Sequence, residues 1–158
     1  MIKKCCDLLE LNHLKIAFIE SASSGYLSSQ FSIYKNSGAE ILLGGLVSYD
    51  PSTKVNILKI EPTFIEKYTA ESAEVTEAMA VHGKKLFTQA DIIVACTGLL
   101  KPGGSATEIK PEGTFFISIL YLNKTHNFHY FIDGTPSEKL ALLTQYVAKE
   151  IIKMIEEI

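Results

Sequence analysis

The chain has 158 residues, of which 47% are hydrophobic and 21% are charged, and its formal net charge is −3. That length suits one domain over 1–158, and the small negative charge gives no reason to expect nucleic acid as a partner. No apolar run approaches the ~18 residues of a membrane span, so a membrane partner is not expected either. All 15 basic residues are lysine, so a bound anion must be held without a bidentate guanidinium group.

The three cysteines are Cys5, Cys6 and Cys96. An odd number of cysteines, with no apolar leader at the start of the sequence, predicts reduced thiols and a cytoplasmic location.

Helices and strands are predicted in alternation in the N-terminal half of the chain. In order, they are a helix over 2–12, a strand over 15–19, a helix over 24–35, a strand in the second half of 39–49, and short helices opened by Pro51 and Pro62. In the first helix we expect Leu8, Leu9 and Leu11 to face inward.

The C-terminal half continues this alternation and adds one hairpin. In order, it predicts a helix begun by Ser72, a buried strand over 91–97, a loop over 99–112, paired strands over 114–123 and 126–132, and a helix from Pro136 to about Glu156. The pattern predicts an α/β fold: a three-layer α/β/α sandwich whose mixed, mostly parallel sheet carries one antiparallel hairpin.

Polar residues follow three of the predicted strands at their carboxyl ends, where open α/β sheets bind ligands. The first segment is Glu20-Ser21-Ala22-Ser23-Ser24-Gly25, the second runs from Tyr49 to Lys54, and the third is Thr97-Gly98. A Ser/Gly turn that opens a helix suits phosphate binding, and it also suits a serine whose attack creates an oxyanion. The alternative is that Ser23 or Ser24 only caps the helix.

Ser21 is the first hydroxyl after the first strand, and a serine needs a base to become a nucleophile. None of the four histidines lies at a predicted strand end. Lys54 lies on the same edge and can serve as a base if burial lowers its pKa, although it can equally be a solvated surface lysine. Tyr49 can stack on a ring-bearing ligand, and Thr97 and Gly98 offer a hydroxyl and an open backbone.

The segment Pro102-Gly103-Gly104-Ser105 is interpreted either as a lid or anion-binding nest, or as an ordinary loop. The cysteine and histidine spacings suit no metal site, and no glycine-rich nucleotide fingerprint is present. We therefore expect neither a metal nor another cofactor.

Five segments, in order and with similar spacing, resemble motifs of the CinA C-terminal domain family, which includes nicotinamide mononucleotide deamidases. They are 20–25, 48–54, 70–75, 97–104 and 110–114, and the resemblance covers about 5–155. It implies an amidohydrolase in which Ser21 is the nucleophile and Lys54 its base. Tyr49 and Thr97 would line the pocket, and backbone N–H groups of 23–25 would hold the oxyanion. It also implies a small pyridine nucleotide or related amide as ligand, no cofactor, and a homo-oligomer.

Two departures from the family pattern bear on substrate binding. The family's Cys-Thr-Gly-Gly is Ala22-Ser23-Ser24-Gly25 here, so Ser24 carries a Cβ where a glycine would permit a positive φ. Near the start of the last helix, Pro136 stands at or near the position of a family arginine, with Lys139 about one turn later as the candidate replacement. Three hypotheses follow: a nicotinamide mononucleotide deamidase, a domain that binds a nucleotide or protein without catalysis, or a hydrolase of a phosphate-free amide.

Overall fold

The computed structural model describes residues 1–157, in which the helices and strands follow one another in the predicted order. The elements are α1 (Ile2–Leu11), β1 (Ile16–Glu20), α2 (Tyr26–Ser32), β2 (Leu42–Val47), α3 (Pro51–Asn56), α4 (Pro62–Tyr68), α5 (Ala73–Leu86), β3 (Ile92–Gly98), β4 (Thr114–Tyr121), β5 (Lys124–Phe131) and α6 (Pro136–Glu156). None of these helices combines the length and the apolar composition that crossing a bilayer requires.

The five strands form one mixed sheet in the order β2-β1-β3-β4-β5. β1 pairs parallel with both β2 and β3, while β4 runs antiparallel to β3 and to β5. Four strands therefore share one direction, which confirms the mostly parallel sheet with its hairpin. Glu20 lies opposite Val47 on one side and Cys96 on the other, so the carboxyl ends of β1, β2 and β3 meet at one edge.

Helices cover both faces of the sheet, which confirms the three-layer arrangement. Alternate residues of a strand point to opposite faces, and in β1 the side chains of Ile16 and Phe18 join one apolar cluster while Ala17 and Ile19 join the other. The first cluster packs against α1, α2 and α6, and the second packs mainly against α5. Every residue of β1 is buried, so the strand that precedes Ser21 is held on both sides.

Two predictions about the helices were wrong, one about which side chains are buried and one about where a helix begins and ends. Leu11 is 73% exposed, whereas Ile2, Cys5, Cys6 and Leu9 form the buried face of α1. Leu11 is two residues beyond Leu9, about 200° around a helix, and so it faces solvent. The helix expected over 24–35 spans only Tyr26–Ser32. The prediction that Ser72 begins a helix is confirmed, because its hydroxyl accepts a hydrogen bond from Val75 N at 3.2 Å.

Candidate active site

Ser21 stands where β1 turns into α2. Its N–H donates to Cys96 O at 3.0 Å and so extends the pairing of β1 with β3, and its carbonyl oxygen accepts from Ser24 N at 3.0 Å. These two bonds hold the backbone of Ser21 at the carboxyl edge of the sheet, on a tight turn.

The buried carboxylate of Glu20 anchors this turn to α2. It accepts hydrogen bonds from Leu27 N at 2.8 Å, Ser28 N at 3.0 Å and Ser28 Oγ at 2.6 Å. A carboxylate at a helix N-terminus compensates both the free N–H groups and the helix dipole. The alternative interpretation, that Ser23 or Ser24 only caps α2, does not hold: Gly25 is the N-cap residue, without a side-chain cap bond. We assigned Glu20 no role from the sequence, although an acidic residue ending a wholly apolar strand was a usable signal.

Lys54 comes to Ser21 from α3. Asp50 begins that helix by accepting a hydrogen bond from Ser52 N at 2.9 Å, and Pro51 occupies its first turn. Lys54 follows one turn later and is only 1% exposed. Its Nζ donates to Ser48 O at 2.6 Å and to Ser21 Oγ at 3.1 Å. The structure thus brings together the two residues expected to carry the chemistry.

Burial changes the acid–base behaviour of Lys54. Loss of hydration lowers the pKa of its ammonium group, and the carboxylates of Glu71 and Asp50 oppose this shift. A neutral Lys54 amine retains N–H groups for the Ser48 carbonyl oxygen and has a lone pair to accept the Ser21 proton. The pair can therefore act as a nucleophile and its general base.

A cavity of about 330 Å³ opens in front of Ser21. Its walls are formed by Ser21 and Ala22, by Tyr49 and Glu71, and by 98–104. Lys54 lies behind Ser21 and does not itself line this cavity. Two other cavities, of about 560 and 460 Å³, do not include Ser21. We therefore take the cavity in front of Ser21 as the candidate active site.

Tyr49 and Gly98 are the other expected site residues that line this cavity. Tyr49 is 57% exposed, at its mouth. A side chain at Gly98 would overlap the Phe115 ring on the neighbouring strand, which explains the glycine at the end of β3. Thr97 points elsewhere: it is fully buried, and its Oγ1 lies 2.8 Å from Thr76 Oγ1.

The three residues expected to bind substrate through the turn do not line the cavity. Ser23 is 2% exposed, and its hydroxyl has no hydrogen-bond partner within residues 1–157. Ser24 is exposed and has φ +48°, and Gly25 has φ +92°. The positive φ at Ser24 agrees with the sequence-based inference that this position suits glycine. Because Ser24 N already donates to Ser21 O, it is not a free oxyanion donor.

Lys139 does not face the cavity, contrary to expectation. It is 3% exposed, and its Nζ donates to Glu112 Oε1 at 2.8 Å and to Leu100 O at 2.9 Å. The side chain is occupied in holding the loop after β3, so its position does not support direct contact with a ligand. The cationic residue that lines the cavity is Lys101, which is exposed.

Glu71 is a lining residue that sequence reasoning missed. Its Oε2 accepts from Ser105 Oγ at 2.6 Å, and its carbonyl oxygen accepts from Lys110 Nζ at 2.7 Å. Lys110 also donates to Thr69 Oγ1 at 2.9 Å. These bonds fasten the glycine-containing loop to the segment between α4 and α5, and no local sequence pattern signals them.

The part of the chain that the structure describes contains no group of three His, Cys, Asp or Glu side chains placed to hold a metal ion. Cys5, Cys6 and Cys96 are free and buried. Burial raises the pKa of the Cys96 thiol to about 12, which makes it a poor nucleophile.

Solved structures with the same fold come from several bacteria. A CinA superfamily protein from Klebsiella pneumoniae aligns with a TM-score of 0.90 and 18% identity, over 99% of this chain and 96% of that chain. A competence or damage-inducible protein from Enterobacter asburiae aligns with a TM-score of 0.87 and 23% identity, over 98% and 96% of the two chains. These likenesses establish the fold.

Proteins related to this chain by sequence show the family to which it belongs. A CinA-like protein of Thermotoga neapolitana is 35% identical over 116 residues, 73% of this chain and 28% of that protein. A CinA-like protein of Mycobacterium marinum is 38% identical over 106 residues, 67% of this chain and 24% of that protein. The chain thus spans about a quarter of the length of these relatives. The model of the CinA C-terminal domain matches residues 1–155, and the chain therefore belongs to the CinA C-terminal domain family.

Proposed function

We propose that this protein hydrolyses a carboxamide, with nicotinamide mononucleotide as substrate and nicotinate mononucleotide and ammonia as products. The observation that carries the proposal is the 3.1 Å contact between Ser21 Oγ and the buried Lys54 Nζ, beside a cavity of about 330 Å³. The substrate itself is inferred from the family resemblance.

The reaction begins with Lys54 in its neutral form. Lys54 Nζ takes the Ser21 proton as Ser21 Oγ attacks the amide carbon, and the carbonyl oxygen becomes an oxyanion. Lys54 then returns the proton to the departing nitrogen, which leaves as ammonia. A water molecule attacks the resulting ester, again giving its proton to Lys54. Collapse of this second intermediate releases the acid and restores the Ser21 hydroxyl.

The Ala22 N–H is our candidate for the oxyanion donor. Ala22 lines the cavity, and within residues 1–157 its N–H donates to no acceptor, unlike the N–H groups of Ser21 and Ser24. A backbone donor next to the nucleophile stabilises the charge that develops during attack and needs no rearrangement to do so.

The test is ammonia release from nicotinamide mononucleotide by the purified protein. We expect turnover that Ser21→Ala abolishes, while Ser29→Ala, a matched change on the exposed side of α2, leaves it intact. Wild-type protein that releases no ammonia, or a Ser21→Ala variant that retains activity, would contradict the proposal.

A binding domain without catalysis is the second candidate. It is favoured by the lack of arginine and by the engagement of Lys139 with Glu112, because both weaken capture of a phosphate. Tight binding of nicotinamide mononucleotide without ammonia release would support it. Faster hydrolysis of the corresponding riboside would instead support a phosphate-free amide as substrate. Homo-oligomerisation, which light scattering tests, and the cytoplasmic location remain predictions.

A further inference from the structure

The candidate cavity contains one acidic side chain, that of Glu71. Within residues 1–157 this carboxylate forms no salt bridge, and its one hydrogen bond is accepted by Oε2 from Ser105 Oγ at 2.6 Å. Oε1 has no partner among the same residues. The carboxylate is therefore not in contact with a cation. Two lysines lie in the same region: Lys101, an exposed residue of the cavity wall, and Lys54, whose ammonium form interacts with Glu71 through space.

The position of Glu71 is fixed from several sides. Lys110 Nζ holds its carbonyl oxygen at 2.7 Å, Ser105 holds its carboxylate, and the following residue, Ser72, is the N-cap of α5. A side chain held in this way has already lost most of its conformational freedom, so little more is lost when a ligand binds.

A partly buried carboxylate attracts a cation more strongly than a surface carboxylate does, because less water screens the interaction. Any amide attacked by Ser21 must place its carbonyl carbon beside Ser21 Oγ. The group that carries the amide then occupies the same cavity, of about 330 Å³, that Glu71 lines. A positive charge on that group would be stabilised there by its attraction to the carboxylate, whereas a neutral ring would gain no such charge–charge stabilisation from Glu71.

We propose that Glu71 determines the substrate preference of this site by selecting amides carried on a positively charged ring, as in an N-alkylated pyridinium. This inference rests on the proposed amide hydrolysis and adds a specificity determinant to it. It requires no change in the roles of Ser21 and Lys54.

The test compares two substrates that differ in ring charge. Nicotinamide mononucleotide carries a pyridinium cation, and its 1,4-dihydro form carries a neutral ring with the same carboxamide, ribose and phosphate. The ratio of their kcat/KM values is measured for wild type and for Glu71→Gln. We expect the substitution to lower this ratio about tenfold. The intrinsic reactivities of the two substrates are the same with both proteins, so they cancel when the two ratios are compared. A change in the pKa of Lys54 alters both kcat/KM values of one protein by the same factor, so it cancels within the ratio.

Ser105→Ala is the matched control, since it removes the hydrogen bond to Glu71 and keeps the charge. Because Ser105 helps to position the carboxylate without supplying its charge, we expect this variant to lower the ratio by no more than about twofold. An unchanged ratio in Glu71→Gln, or an equal decrease in Ser105→Ala, would overturn the proposal.

A failure of the proposed hydrolysis is distinguishable from a failure of this inference. If wild type hydrolyses neither compound, titration calorimetry with both compounds is carried out on wild type and Glu71→Gln. We then expect Glu71→Gln to weaken binding of the cationic compound about tenfold and to leave binding of the neutral one unchanged. Equal effects on both compounds, or no binding of either, would overturn the role of Glu71.

Discussion

Lys54 Nζ lies 3.1 Å from Ser21 Oγ, although the two residues are 33 positions apart in the chain. Ser21 follows β1 directly, at the edge of the sheet. Lys54 lies on α3, behind Ser21, and is only 1% exposed. Contact and burial act together, because the same burial that holds the amine against the hydroxyl also disfavours its charged form.

The rate of amide hydrolysis should rise with pH. Lys54 acts as a base only when neutral, and burial holds the pKa of its ammonium group below the ordinary value of 10.5. We expect log kcat/KM to increase with pH and to reach a plateau above this lowered pKa. Glu71→Gln, which removes a carboxylate that favours the charged form, should move the rise to lower pH. A profile that shows no rise anywhere between acidic and alkaline pH, or that moves to higher pH in the variant, would contradict the role of Lys54.

Lys54→Met should remove activity and increase stability. Turnover should fall by at least ~10³-fold, because Ser21 loses its base. The pKa of Lys54 is lowered in the folded state, so below that pKa the buried ammonium group destabilises the fold. This effect disappears as the pH rises from the folded to the unfolded pKa. At neutral pH we expect the free energy of unfolding to increase by about 1 kcal/mol, with a smaller gain near pH 10.5.

Urea unfolding measures this change in stability, with Lys149→Met on the exposed side of α6 as the control. The control should change the free energy of unfolding little. A loss of stability in Lys54→Met at neutral pH would show that the hydrogen bond to Ser48 O outweighs the cost of burying the charge.

Ser24→Gly should stabilise the protein. Ser24 has φ +48°, a left-handed conformation that costs a residue with a Cβ about 1–2 kcal/mol, whereas glycine adopts it freely. After allowance for the greater freedom of glycine in the unfolded chain, we expect a net gain of about 0.5 kcal/mol. The thermal midpoint measures it. Ser29→Gly, in the regular part of α2, should lower the midpoint, and a decrease in both variants would argue against strain at Ser24.

Glu112→Ala should destabilise the protein more than Lys139→Met does. Lys139 is 3% exposed and pairs with Glu112 at 2.8 Å, while the Glu112 side chain is 40% exposed. Removing Glu112 leaves a buried ammonium group with Leu100 O as its remaining partner, at a cost of about 1–2 kcal/mol. Removing Lys139 leaves a carboxylate that water can reach. Chemical denaturation measures both variants, and the reverse order would show that Lys139 tolerates the loss of its partner.

Most of the fold could be predicted from local patterns in the sequence. The apolar run before Glu20, the prolines at 51, 62 and 136 and the cap at Ser72 mark their elements because hydrophobic period, fixed φ and side-chain capping act within a few residues. Leu11 was misassigned although helical periodicity alone places it about 200° from the buried Leu9. The limit of such patterns is shown instead by Lys139, whose burial depends on Glu112 and Leu100 in the distant loop after β3.

Local sequence patterns were enough to predict the order of helices and strands and the polar segments at one edge of the sheet. Together with the family resemblance, they identified Ser21 and Lys54 as the candidate reactive pair. The environment of each polar group became clear from the folded structure alone. Lys54 is buried, the Glu20 carboxylate binds N–H groups of the first turn of α2, Glu71 lines the cavity and Lys139 pairs with Glu112. Element formation depends on neighbours along the chain, whereas hydration and charge pairing depend on groups that only folding brings together.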